Sequence, residues 1–187
     1  TETPDIIRQQ PVARIKRIFI REDSVFHALL PSGPEHKVLM GMPREPTIFN
    51  SVNKVVDCHD VFMTHGGASW LHGVVAINKK NEDDGWKAIE AAFEGHASMK
   101  HVWIVDSDID ITNPQSVEWA MATRFQGDSG LVIKTGVKGS SLDPSSNPET
   151  RETVKVGFDC TIPLNRDKSD FVKPAPGMKV DLDDYLN

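Results

Sequence analysis

The chain has 187 residues, 39% of them hydrophobic and 26% charged, and a formal net charge of −6 from 21 Lys and Arg against 27 Asp and Glu. That length and composition suit one soluble globular domain with its own core, and the acidic balance excludes a non-specific nucleic-acid binder, which carries a basic stripe. No apolar run reaches the ~20 residues of a membrane helix and no signal-peptide pattern opens the chain. Cys58 and Cys160 make no disulfide framework, so a reducing cytoplasm is the expected compartment.

Residues 1–11 are polar, end in Pro11 and read as a lead-in segment. Val12–Ile20 alternates in part and is rich in β-formers, which predicts a strand with basic residues on one face. Val25–Leu30 predicts a second, and the Glu22–Ser24 turn between them makes the pair a candidate hairpin, stopped by Pro31-Ser-Gly-Pro34. Residues 35–54 predict two short helices broken at Pro43 and Pro46. Residues 55–63 predict a strand with a polar interruption at Asp57–Asp60, followed by the small-residue loop Thr64–Ser69 and a strand over Trp70–Ile77. Asn81–Asp84 supplies an N-cap cluster for a helix with Trp86, Ile89 and Phe93 on one face and Gly95 at its end. The nearly continuous apolar run His101–Val105 predicts a strand covered on both faces. Asn113 and Pro114 are cap and first residue of a helix running to about Arg124, with Val117 and Met121 inward, and Gly130–Ile133 predicts one more strand.

The order β-β-α-β-α-β over residues 55–134 predicts an α/β layered sandwich: a mixed β-sheet flanked by helices. Beyond residue 135 the chain is rich in Gly, Ser and Pro and is expected to wrap over the domain rather than form regular elements. Residues 162–187 read as an irregular tail made acidic by Asp181, Asp183 and Asp184.

Asp106-Ser-Asp-Ile-Asp110 sets three carboxylates at alternate positions, a pattern that suits a hard divalent cation, and it opens the reading of an independent metal-dependent enzyme. A calcium loop is excluded by spacing, since Ile111 and Val117 stand where Gly and an acid belong. The plainer reading is a charged turn that caps the following helix. His65-Gly-Gly-Ala-Ser69 lets a ligand approach the backbone, yet it lacks the second glycine of a nucleophile elbow. The seven histidines show no zinc spacing and read as hydrogen-bonding residues; Arg124 suits a helix C-terminus on its own, and Lys100 reads as a solvated lysine. No phosphate-cradling glycine motif occurs. The residues alone describe an α/β domain without a complete catalytic set.

Four ordered segments carry a resemblance: QPVARIKRIFIREDSVFHALLPSGPEHKVLMGMPREP, HGGASWLHGVVAINKKNEDDG, KHVWIVDSDIDITNPQSVEWAMATR and GSSLDPS. Together, from about Gln10 to Thr161, they resemble the UbiD family of 3-octaprenyl-4-hydroxybenzoate carboxy-lyase-like decarboxylases. The resemblance implies a C-terminal α/β domain over residues 12–161. It implies reversible decarboxylation of aromatic or α,β-unsaturated acids with prenylated FMN, Mn²⁺ and K⁺. The family's glutamate-arginine-glutamate set and its metal-binding Asn, His and Glu belong to an N-terminal half that nothing here matches, so no catalytic residue is assigned to this chain. What it implies here is a domain that caps the active site, with Thr64, His65, Ser69 and Lys100 facing cofactor or substrate and the Arg124 carbonyl on potassium. The expected partners are the N-terminal flavin-binding half or subunit and further copies in a homo-oligomer. The alternative is a non-catalytic assembly or regulatory module of the same fold.

Overall fold

The computed structural model describes residues 2–4, 7, 9–174 and 181. Five strands, β1 (Cys58–Met63), β2 (His72–Ile77), β3 (His101–Asp106), β4 (Leu131–Lys138) and β5 (Glu152–Cys160), form one sheet in the order β1-β2-β3-β5-β4. The three central strands β2, β3 and β5 are parallel, and β1 and β4 pair antiparallel at the edges. Helices α1 (Pro34–Gly41), α2 (Glu45–Val52), α3 (Asp84–Gly95) and α4 (Pro114–Arg124) complete the mixed α/β sandwich expected from the element order. Among the described residues no helix is long and apolar enough to cross a membrane.

Alternation along the central strands splits the core in two. Val75 and Ile77 of β2 and Val102 and Ile104 of β3 pack with α2 and α3, through Ile48, Val52, Ile89 and Phe93. Val74, Ala76 and Val105 point the other way, with Trp103, Cys160, Ala120 and Phe158, toward α4. A strand apolar on both faces needs a cover on each, which is why β3 reads as an unbroken apolar run. Close approach of α3 requires Gly157 on β5, where an added Cβ would stand 2.3 Å from Cγ2 of Ile89.

Local signals set the helix ends. The Asn113 side chain accepts from Gln115 N at 3.0 Å, with Pro114 at the first position of α4. The Asn81–Asp84 cluster works through Asp84, which accepts from the backbone of Lys80 and Asn81, both at 2.8 Å. The outer edge of β1 is closed by side chains: Glu45 accepts from Met63 N at 2.9 Å and Asp60 from Val61 N at 2.8 Å.

Four expectations are corrected. Residues 12–30 form neither strand nor hairpin; apart from the expected turn, where Ser24 N donates to Arg21 O at 3.3 Å, they are an arm without regular structure on which Val12, Phe19, Val25 and Phe26 are about 90% exposed. A β-rich pattern makes a strand only beside a partner edge, and the arm pairs with neither rim of this sheet. Nor does the chain beyond residue 135 merely wrap: β5 is a nine-residue strand inserted between β3 and β4. Its charged and glycine residues, Glu152, Lys155 and Gly157, hid a period-two pattern with Thr153, Lys155 and Gly157 turned inward. The strand expected at Gly130–Ile133 extends to Lys138 as its hairpin partner. Trp86 leaves the buried face of α3 and is 55% exposed, while Ile89 and Phe93 are buried. Residues 161–174 are irregular apart from a short 3₁₀ turn at Lys168–Phe171, and Asp183 and Asp184 lie outside the described residues.

Ile104, fully buried in the central strand, and Phe19 on the arm make a direct contrast. Ile104→Ala is expected to cost about 2–5 kcal/mol in urea denaturation, and Phe19→Ala at most about 0.5 kcal/mol.

Candidate functional site

The loop Thr64–Leu71 folds onto the start of β3. Thr64 O accepts from Gly67 N at 3.1 Å and Ser69 N at 2.9 Å, and Leu71 O accepts from Lys100 N and His101 N at 2.7 and 3.0 Å. Gly67 is required where the loop crosses β2, since an added Cβ would lie 2.4 Å from that of His72. Ser69 is buried and its hydroxyl meets His65 Nδ1 at 3.2 Å. A second loop, 139–151, closes on the same edge. Trp70 Nε1 donates to Ser140 Oγ at 3.1 Å, and Lys100 pairs with the buried Asp143 at 2.9 Å. Asp143 also accepts from Thr153 Oγ1 at 3.1 Å. Burial raises the Asp143 carboxyl, but hydrogen bonds from Lys100 and Ser145 outweigh it and hold it below the ordinary carboxylate range.

Parallel register sets His72 of β2 directly opposite His101 of β3, and His101 Nδ1 meets His72 Nε2 at 2.8 Å. Two imidazoles at that distance share one proton between a donor and an acceptor nitrogen, so the two cannot both carry charge. Burial, then the neighbouring His101 and Lys100, push His72 down to about 4, and burial with Lys100 lowers His101, against Asp143. His72 stands edge-on to Trp103 at 5.3 Å between ring centres.

His72 and Trp103 help to bound a cavity of about 430 Å³ between the first loop and α4. Phe62, Val74, Trp103, Val117 and Met121 make most of its wall; Thr64, His65, His72 and Thr112 supply polar groups; Glu118 is its charged residue, and among the described residues neither Lys nor Arg lines it. An apolar cleft with few convergent polar groups is what a small hydrocarbon-bearing ligand requires.

Of the residues singled out from the sequence, Thr64 and His65 line this cavity, Ser69 supports its loop from beneath, and Lys100 lies at the same edge engaged with Asp143. Arg124 lies at the opposite end of β3. Its guanidinium is fully buried, donating to Asp106 at 2.8 Å and to both oxygens of Asp108 at 2.8 and 2.7 Å, and it stacks 5.2 Å from the Trp119 ring. Burial raises the Asp106 carboxyl above the ordinary range despite Arg124, whereas the Arg124 hydrogen bond holds Asp108 below it. Asp110 turns away to Thr112, accepting from its N at 3.0 Å and its hydroxyl at 2.7 Å. The three alternate carboxylates therefore do not converge, and the independent metal-site reading of that turn is corrected. Among the described residues no group of three His, Cys, Asp or Glu is placed to hold a metal.

The histidine pair and the Lys100–Asp143 tie were absent from the sequence reading. Their partners lie 29 and 43 residues apart. The usable signal was that His72 and His101 sit at matching places in two strands expected side by side.

A family model described as the 3-octaprenyl-4-hydroxybenzoate carboxy-lyase C-terminal domain matches residues 37–160. The anhydromevalonate phosphate decarboxylase of Methanocaldococcus jannaschii is 51% identical over 172 residues, 91% of this chain and 41% of that protein. The gallate decarboxylase of Lactiplantibacillus plantarum is 30% identical, covering 94% of this chain and 38% of its own. The structure of the UbiD-class enzyme HmfF from Pelotomaculum thermopropionicum in complex with FMN matches with a TM-score of 0.80 at 39% identity, covering 89% of this chain and 38% of that one. An evolved dimeric form of HmfF in complex with prFMN matches with a TM-score of 0.70 at 35% identity, covering 89% of this chain and 35% of that one. The chain thus spans about two fifths of the length of the curated relatives it matches.

His96, 4% exposed and bonded to Trp70 O at 3.0 Å, holds the first loop from behind. Burial pushes it from 6.5 down to about 4, against the Trp70 carbonyl. Between those values the unfolded chain binds a proton that the folded chain refuses, so stability falls as pH drops from 6.5 to about 4 and levels off below. The loss from this group is at most about 3 kcal/mol. In urea denaturation from pH 7 to 4.5, His96→Asn is expected to flatten that slope. Arg124→Met leaves Asp106 buried without its cation and is expected to cost about 3–5 kcal/mol at pH 7 by the same measurement.

Proposed function

The chain belongs to the UbiD family, as its carboxy-lyase C-terminal domain, and from that we propose that it forms the substrate-facing cap of a flavin-dependent decarboxylase. The reading rests on one observation: Thr64, His65, Ser69 and Lys100 gather at one edge of the sheet, beside an apolar cavity, in a chain that spans two fifths of its decarboxylase relatives. The substrate is a small carboxylic acid whose hydrocarbon body lies against Phe62, Trp103, Val117 and Met121. Higher identity to anhydromevalonate phosphate decarboxylases than to gallate decarboxylase favours an aliphatic, α,β-unsaturated acid over a phenolic one.

The cavity fits the uncharged part of a ring or alkyl group, and with neither Lys nor Arg lining it among the described residues it does not fit a phosphate. The FMN phosphate, and any substrate phosphate, is therefore held by the other part of the enzyme. Prenylated flavin, when bound there, supplies the electron sink for loss of CO₂. This domain's residues exclude water from the hydrocarbon body and orient it. The scattered carboxylates of this chain do not fit Mn²⁺, which we assign to the partner half. The Arg124 carbonyl, at the end of α4 where helix carbonyls lack intrahelical donors, is the proposed contact for K⁺. The exposed apolar arm around Phe19 and Phe26 supports coverage by the N-terminal half or another copy in an oligomer.

Complementation tests the reading. This chain, supplied with prenylated FMN and the N-terminal part of the M. jannaschii relative, is expected to release CO₂ from anhydromevalonate phosphate, and either part alone to release none. Turnover by this chain alone, or silence of the reconstituted pair despite stable association, would refute it.

A further inference from the structure

The His72–His101 pair has one nitrogen of each ring committed to the other, at 2.8 Å, and His72 lines the cavity. No hydrogen bond engages His72 Nδ1 among the described residues. The two tautomeric arrangements of the pair differ in what that nitrogen offers. With the shared proton on His101 Nδ1, His72 carries its own proton on Nδ1 and donates. With the shared proton on His72 Nε2, the Nδ1 proton has passed to solvent and His101 has taken one on Nε2, so both rings stay neutral and His72 Nδ1 accepts. The switch needs no movement of heavy atoms, because the main-chain register holds both rings.

The surroundings keep the pair uncharged. Lys100 stands next to His101 in the chain, its charge matched by Asp143, and burial disfavours imidazolium in both rings. At the cavity the charge is that of Glu118, which repels anions. A cavity walled by Trp103, Val117 and Met121, with His72 Nδ1 able to donate or accept beside Thr64, His65 and Thr112, offers hydrogen bonds rather than a fixed cation among the described residues.

We propose that His72, oriented by His101, is a specificity-determining anchor for an uncharged hydroxyl or carbonyl group next to hydrocarbon, and that this cavity rejects anionic groups. The proposal rests on the reading of the cavity as part of a substrate site, and adds an orientation: the ligand's carboxylate and any phosphate point away from this domain.

The probes are benzene, phenol and benzoate, close in shape and differing in polarity, titrated into this chain with imidazole nitrogens labelled with ¹⁵N. Phenol is expected to bind roughly three- to tenfold more tightly than benzene, the range of one neutral hydrogen bond, and to shift the His72 Nδ1 resonance. Benzoate is expected not to compete. His101→Phe keeps His72 but frees its ring, and is expected to shrink the preference for phenol while benzene affinity holds. His72→Asn gives a second, smaller polar substitution at the same place. Equal affinity for phenol and benzene, an unmoved His72 resonance, binding of neither, or competition by benzoate would overturn the proposal. Because the probes are not substrates, these outcomes stand apart from the complementation result.

Discussion

Parallel pairing of β2 with β3 is the constraint on which the remaining structure depends. Six residue pairs in register, from His72 with His101 to Ile77 with Asp106, fix both faces of the sheet at once. Odd positions of β2 go to α2 and α3 and even positions to α4, so a shift of one residue would send Val75 and Ile77 to the wrong core. The same register places the polar groups. His72 and His101 open the two strands, so they become neighbours with no local sequence relation, while Asp106 closes β3 where α4 ends at Arg124.

Each end of β3 is secured by a buried or half-buried ion pair made by a distant segment: Lys100 with Asp143 at one end, Arg124 with Asp106 and Asp108 at the other. Such pairs give little net stability when intact, because desolvation offsets attraction, yet removing one partner strands the other. Here they determine position. Asp143 draws loop 139–151 over the edge that carries the cavity, and Arg124 ties the turn after β3 to the end of α4, with Ile162 N adding a third bond to Asp106 at 2.9 Å. The cavity lies between these two fastenings, lined by residues from two loops, three strands and a helix.

Much of this was legible in the sequence. Pro43 and Pro46 marked the breaks around α1 and α2, Asn113-Pro114 marked the start of α4, and the apolar run at 101–105 marked a strand buried on both faces. Strand β5 was not legible, because Lys155 and Gly157 occupy inward positions: Lys155 reaches Ala97 O with its ammonium, and Gly157 makes room for Ile89. The arm failed the opposite way, since its β-rich pattern describes a strand whose partner is not in this sheet. Of the loop residues that small-residue composition and family resemblance singled out, Thr64 and His65 line the cavity and Ser69 lies beneath it. The histidine pair and the role of Asp143 were not legible, because each depends on tertiary register between distant segments.

Glu45 and Asp60 sit as plugs on the backbone donors of β1, and they make the two rims of the sheet unequal. A strand presenting free amides is a template on which another chain can grow, so the β1 rim is barred to ordered stacking. The β4 rim, with Leu131 and Ile133 partly bare, has no such plug on its amides among the described residues. Misassembly of the solitary chain is thereby polarised: a fibril or swapped dimer would seed on β4 and spread from there, leaving the helices of the opposite rim as its blunt end.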